Sequence, residues 1–230
     1  MSIDEFKTIF YWEWGHRILG RMIGLAFLLP IPYFTYKRFL TRRSTLALFG
    51  IGTLIGGQGA LGWYMVKSGL DDHSIQQLGG VPRVSQYRLA AHLGMAFIVY
   101  TLCLRMGLAV HRDARLLKGL PVGGAKDVSS ALALIQSPQA ARLRVLSTVV
   151  AGLVFLTAIS GAFVAGLDAG LIYNDFPYMG GRLVPPSDEL YNDSYARKAD
   201  KSDKWWRNMF ENPTTTQFDH RVLVRLVQQR

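Results

Sequence analysis

The chain has 230 residues, half of them apolar and only 18% charged, with a formal net charge of +10. That balance excludes an ordinary soluble domain of this length, in which charged residues make up nearer a quarter. The charge alone would suit a nucleic-acid binder, but the basic residues gather in short stretches between long apolar runs, where they read as membrane-topology signals instead.

Residues 2–15 predict a helical lead-in, with Ser2 as N-cap and Asp4 and Glu5 at the positive end of the helix dipole. Phe6, Ile9, Phe10, Trp12 and Trp14 suit an interfacial anchoring belt. No basic segment precedes them, so no signal or transit peptide is visible. Four runs then follow that are long enough to cross a bilayer: Ile18 to Tyr36, Thr45 to Val66, Leu89 to Val110 and Val145 to Leu167. None alternates in polarity, so membrane helices are expected rather than barrel strands.

Glu13-Trp14-Gly15-His16-Arg17 stands at the entrance of the first run. Glu13 and His16 are almost one helical turn apart and share a face, and an ionisable pair at a membrane boundary is a functional suspect. Within the run, Gly20 and Gly24 let another helix or a flat ligand approach the backbone, while Pro30 and Pro32 predict a kink or an early end. Lys37, Arg38, Arg42 and Arg43 put the next connection on the cytoplasm-equivalent side.

The second run carries Gly50, Gly52, Gly56, Gly57, Gly59 and Gly62, so one face is nearly bare, and Gln58 inside it needs a hydrogen-bond partner that hydrocarbon cannot provide. The third opens on Ser85 to Gly94, with Arg88 four residues before His92. It runs in the same direction as the first, which puts His16 and His92 at comparable depth on parallel helices. Cys103 is the only cysteine and falls mid-span, so no intramolecular disulfide forms. His73 and His111 fall in or beside loops and read as solvated.

Residues 112–142, with Arg112, Arg115, Lys118, Lys126 and Arg142 among Gly119, Pro121, Gly123 and Gly124, and Arg144 just beyond, read as a basic linker on the inner side, dividing 1–111 from 143–230. The fourth run ends in small residues and is followed by a long polar outer-side loop, 168–219. Phe218-Asp219-His220-Arg221 then begins a fresh helical stretch that echoes His16-Arg17. The expected fold is all-α: a polytopic membrane helical bundle, with one nearly complete four-helix half and the start of a second, pseudo-symmetric half.

Histidines on neighbouring membrane helices beside glycine-bared surfaces are what a bis-histidine haem site needs, with Arg17, Arg21 and Arg88 placed to pair the propionates. No Cys-x-x-Cys-His motif exists, so such a haem would be held non-covalently. A di-iron carboxylate site would need a second Glu-x-x-His motif and further glutamates in the spans, which the sequence lacks. A b-type haem-binding or electron-transfer protein without oxidation chemistry remains the alternative to an enzyme.

Glu13 to Arg17 with Gly20-Arg21, then Gln58-Gly59-x-x-Gly62-Trp63-x-Met65-Val66-Lys67-Ser68-Gly69-Leu70, and Pro82-Arg83-Val84-Ser85-Gln86-Tyr87-Arg88-Leu89-Ala90-x-His92-Leu93 resemble the mitochondrial haem A synthase family. Gly166 to Gly170, Asn174-x-Phe176-Pro177-x-Met179-Gly180 and Phe218 to Arg221 extend the resemblance over most of the chain except the basic linker. The resemblance implies eight transmembrane helices in two pseudo-symmetric halves, of which this chain would hold the second to fifth and the start of the sixth. It implies haem O as substrate, with a ring methyl oxidised to formyl for cytochrome c oxidase. It also implies His16 and His92 as the first-half histidine pair, Glu13 as the catalytic carboxylate, and His220 as a ligand of haem b in the second half. The partners implied are the farnesyltransferase that makes haem O, a ferredoxin-type electron donor and membrane lipid, in the mitochondrial inner membrane, with homo-oligomerisation left open and nucleic acid excluded.

Overall fold

The computed structural model describes residues 2–69, 84–123, 125 and 127–228. Leu70, His73, Pro82, Arg83, Gly124 and Lys126, to which the sequence assigns motif, solvated or linker roles, lie outside the described residues. The apolar runs are helices: α1 (Ile3–Leu28) with its continuation α2 (Pro30–Tyr36), α3 (Arg42–Gly69), α4 (Gln86–Leu117) and α6 (Pro138–Gly166). Even the 28 residues of α3 reach well beyond the roughly 30 Å hydrocarbon core at about 1.5 Å per residue.

Each helix begins at polar residues outside its apolar run, because the first backbone N–H groups need acceptors. Ser2 caps α1 through a reciprocal pair with Glu5: its hydroxyl accepts from Glu5 N–H at 3.2 Å and its own N–H donates to the Glu5 carboxylate at 2.7 Å. The expected kink falls at Leu29, where Pro30 brings no N–H for the Ala26 carbonyl and starts α2 instead. Ser137 caps α6, with Pro138 in the first turn.

The helices pack in succession, α1 on α3, α3 on α4, α4 on α6, and α6 on α9 (Pro213–Gln228). Small residues set the approach between α4 and α6. A Cβ on Gly94 would lie 3.3 Å from Ile159, and one on Gly166 would lie 2.6 Å from the Gln86 Cα, so only glycine admits this contact. Phe97 and Phe155 fill the seam edge to face, with centroids 6.2 Å apart.

Two stretches are more ordered than their composition suggests. The basic segment 112–142 is largely helical, since α4 continues to Leu117 and α5 (Val128–Gln136) follows behind an Asp127 capping box. The outer segment is no irregular loop either. It holds 3-10 turns at Ala169–Leu171 and Asp193–Tyr195 and the helices α7 (Ser187–Leu190) and α8 (Lys204–Glu211), and α9 starts at Pro213 rather than at Phe218. The cause is a set of buried amides that replace an apolar core. Asn208, 1% exposed, accepts from Asn192 N–H at 3.0 Å and from the Asn212 amide at 2.9 Å, and donates to the carbonyls of Asn192 and Lys204. Asn212 donates to the Glu189 carbonyl at 2.7 Å and accepts from Thr214 N–H at 2.9 Å, which caps α9.

Beside this network Asp203 accepts from Arg207 at 2.5 Å and from the backbone N–H groups of Arg197 and Lys198. Burial pushes the Asp203 carboxyl up, but the bonds from Arg207 and from those two N–H groups outweigh it and hold the carboxyl down to about 2. Arg207 continues to Glu211 at 2.8 Å, and Tyr87 at the start of α4 donates to Glu211 at 3.1 Å, docking the cap onto the bundle.

Asn208→Ala strands several buried partners at once and should lower the free energy of opening the cap by about 3 kcal/mol, read as faster protease cleavage within 187–212 with α1 to α6 unaffected. The depressed Asp203 carboxyl contributes stability that is full above its ordinary value of 3.8 and is lost as pH falls toward about 2. Hydrogen exchange at Arg197 and Lys198 should therefore accelerate across that window, and Asp203→Asn should flatten the dependence.

Candidate functional site

His16, His92 and His220 lie on α1, α4 and α9. His92 and His220 each sit roughly two turns from the start of their helix. Both rings are half-buried, and both present the same edge to a bare backbone. A Cβ on Gly62 of α3 would lie 2.9 Å from His92 Cε1 and 3.6 Å from each ring nitrogen, while a Cβ on Gly161 of α6 would lie 3.2 Å from His220 Cε1 and 3.8 Å from each nitrogen. Each imidazole thus occupies the volume of an absent side chain on the preceding long helix, with its two nitrogens directed to either side. Ring orientation is set by backbone, which is stiffer than any side-chain packing.

The polar surroundings of the two rings differ. Gln58, one turn before Gly62, donates its amide to the His92 carbonyl at 2.9 Å, which meets the demand that the sequence placed on it. A carbonyl accepts only, so this bond fixes the amide orientation and leaves Gln58 Oε1 pointing elsewhere. That oxygen and His92 Nδ1 are both buried, and neither has a hydrogen-bond partner. Two orphaned polar atoms on facing residues are what a site for a polar or metal-bearing ligand leaves exposed when considered as protein alone. At His220, by contrast, Nδ1 lies 2.8 Å from Ser160 Oγ.

His16 lies within electrostatic range of His92. It is exposed, as is its neighbour Glu13, which makes a 3.4 Å ion pair with Arg17; the two side chains are 61% and 53% exposed. No residue of α1 is buried. Arg21 is also exposed. Arg88 is better held, donating to the Ser68 hydroxyl and lying over the Tyr64 ring at 4.9 Å. His111 is exposed, as expected. Among the described residues no three His, Cys, Asp or Glu side chains gather in a way that could hold a metal ion.

The arginine after His220 has a different task from the one its echo of Arg17 suggests. Arg221 donates to the carbonyls of Tyr173, Asp175 and Tyr178, each at 2.8 Å, and Arg225 donates to that of Pro177 at 3.0 Å. These bonds bind segment 173–178 to α9. Sequence reasoning missed Ser160 and Gly161 as partners of His220. The available signal was a hydroxyl directly beside a glycine within an apolar run.

The chain matches the family described as cytochrome oxidase assembly protein, COX15-CtaA, over residues 1–228. It is 46% identical over 97% of its length to the heme A synthase-mitochondrial ferredoxin fusion protein of Schizosaccharomyces pombe, of which it covers 36%. It is 44% identical to heme A synthase COX15 of Saccharomyces cerevisiae, with 96% of this chain and 45% of that protein aligned. To heme A synthase of Nitrosospira multiformis it is also 44% identical, with 97% and 53% aligned. The chain thus spans between about a third and a half of these relatives. No solved structure matches it. With nearly the whole sequence matched and four helices long and apolar enough to cross a membrane, the chain belongs to the COX15-CtaA family of cytochrome oxidase assembly proteins.

Proposed function

We propose that this chain serves haem A synthesis, oxidising a ring methyl of haem O to a formyl group, with the substrate taken up at His16 and His92. The observation that carries this reading is the buried, unpartnered Nδ1 of His92, on a ring seated against Gly62 and beside His16. The relatives' names support the reaction assigned.

His92 would then act as the oriented imidazole of the pair, because its ring is held by backbone, and His16 would adjust its position to the substrate. Glu13, one turn before His16, is placed to accept or return a proton as charge develops at the substrate, and its carboxylate pairs with Arg17 at 3.4 Å. Arg88, anchored by Ser68 and Tyr64, is the best-positioned cation for a propionate; Arg17 and Arg21 complete the set.

In the second half His220 fits a haem b ligand, with Nδ1 engaged by Ser160, the edge of its ring against Gly161 and no hydrogen-bond partner for Nε2 among the described residues. Haem b, when bound, supplies one-electron transfer. The fusion to ferredoxin in the Schizosaccharomyces pombe relative supports a ferredoxin-type donor, and a farnesyltransferase reaction must supply haem O. The mitochondrial inner membrane is the compartment this reading implies, with residues 112–142 joining the two haem-binding halves on its matrix side.

The direct test is to express the full-length protein in cells that lack their own haem A synthase and to extract the haems. Haem A should appear, and His16→Ala, His92→Ala and Glu13→Gln should each leave haem O in its place; undiminished haem A from His92→Ala would remove the site assignment. Gly62→Ala places a methyl 2.9 Å from His92 Cε1 and must turn the ring. The ratio of haem A to haem O should fall on the order of 10- to 100-fold for this displacement. Gly107→Ala, where an added methyl meets nothing within 4 Å, should leave the ratio unchanged.

A further inference from the structure

We infer that Ser160 is a positioning residue that locks His220 in the Nδ1–H tautomer, so that Nε2 is the nitrogen offered to iron. The inference rests on the proposed role of His220 as a haem ligand only for its last clause; the tautomer follows from hydrogen-bond geometry alone.

Ser160 Oγ is 2.7 Å from the Thr157 carbonyl oxygen and 2.8 Å from His220 Nδ1. A hydroxyl has one proton to donate, and a carbonyl oxygen only accepts. The proton must therefore lie toward Thr157, since the opposite arrangement would bring two oxygen lone pairs together at 2.7 Å. What remains at Ser160 Oγ toward the imidazole is a lone pair, which requires that Nδ1 carry hydrogen. A neutral imidazole has one N–H, so Nε2 keeps its lone pair. The Cε1 edge of the ring is fixed against Gly161, the residue next to Ser160, so two adjacent positions of α6 set the tautomer and the orientation of a side chain sixty residues away in sequence.

His92 provides the internal contrast. It has the same glycine seat, but its Nδ1 has no partner, so nothing in the protein selects a tautomer there. The second-half histidine is pre-set for one ligand geometry, and its Nδ1–H bond to Ser160 also makes the imidazole a better electron donor to a bound metal. The first-half histidine is left to be set by what binds.

The test begins without haem. Histidine is labelled with 15N in the protein reconstituted in phosphatidylcholine nanodiscs, and the ring-nitrogen shifts of His220 and His92 are read. His220 should show a protonated Nδ1 and an unprotonated Nε2. Ser160→Ala should abolish that preference, Ser160→Thr should keep it, and His92 should be unaffected by either. A protonated Nε2 on His220 in the unmutated protein overturns the inference, and that measurement stands even if Ser160→Ala fails to fold. In the full-length protein loaded with haem b, Ser160→Ala should weaken haem retention on the order of 10-fold or more and raise the midpoint potential, with Ser160→Thr restoring both. Unchanged retention and potential alongside a lost tautomer preference would overturn the link to iron. Full haem b retention by His220→Ala would instead overturn the ligand assignment and leave the tautomer result intact.

Discussion

Everything that concerns the histidines depends on how closely two helices approach at a glycine. A ring edge can rest against a helix backbone only where no Cβ intervenes, and the chain makes that contact twice, at Gly62 with His92 and at Gly161 with His220. In a hydrocarbon layer this arrangement has a further effect. Water is not available to satisfy an imidazole, so each nitrogen must find its partner in the protein or in a ligand. At His220 the protein supplies one through Ser160; at His92 it does not. The two rings share a mechanical support and differ in chemical support.

The membrane-length helices were legible in the sequence because their signals are local. An apolar run of bilayer length, a proline pair, and a histidine one turn from a carboxylate can each be read within a few residues. Gln58 was legible as a demand, a polar amide in hydrocarbon, though not as the bond to the His92 carbonyl that answers it. The start of α9 and the helices of the cap were not, because Asn192, Asn208 and Asn212 look like loop residues until they are seen bonding one another across as many as 16 positions. Ser160 was missed for a similar reason. Its importance exists only once α6 and α9 are adjacent, and no local pattern encodes that pairing.

The exposure of Glu13 corrects a different kind of inference. Sequence spacing put Glu13 and His16 on one face of a helix, and α1 does continue without interruption through both. A face, however, is not an enclosure. Burial depends on what packs against the helix, and α1 meets α3 without burying any residue of its own. The Arg17 ion pair is accordingly a surface pair, worth little to stability.

The clamp between Arg221 and segment 173–178 has a mechanical meaning. One guanidinium gathers three carbonyls, and Arg225 adds a fourth one turn further along α9, so the segment is fastened to that helix along a line rather than at a point. Fastened in this way it cannot slide or roll independently of α9; the two form a single lever, with the His220 ring close to its fulcrum at Gly161. A displacement of segment 173–178 would therefore be carried through α9 to the imidazole as a small rotation.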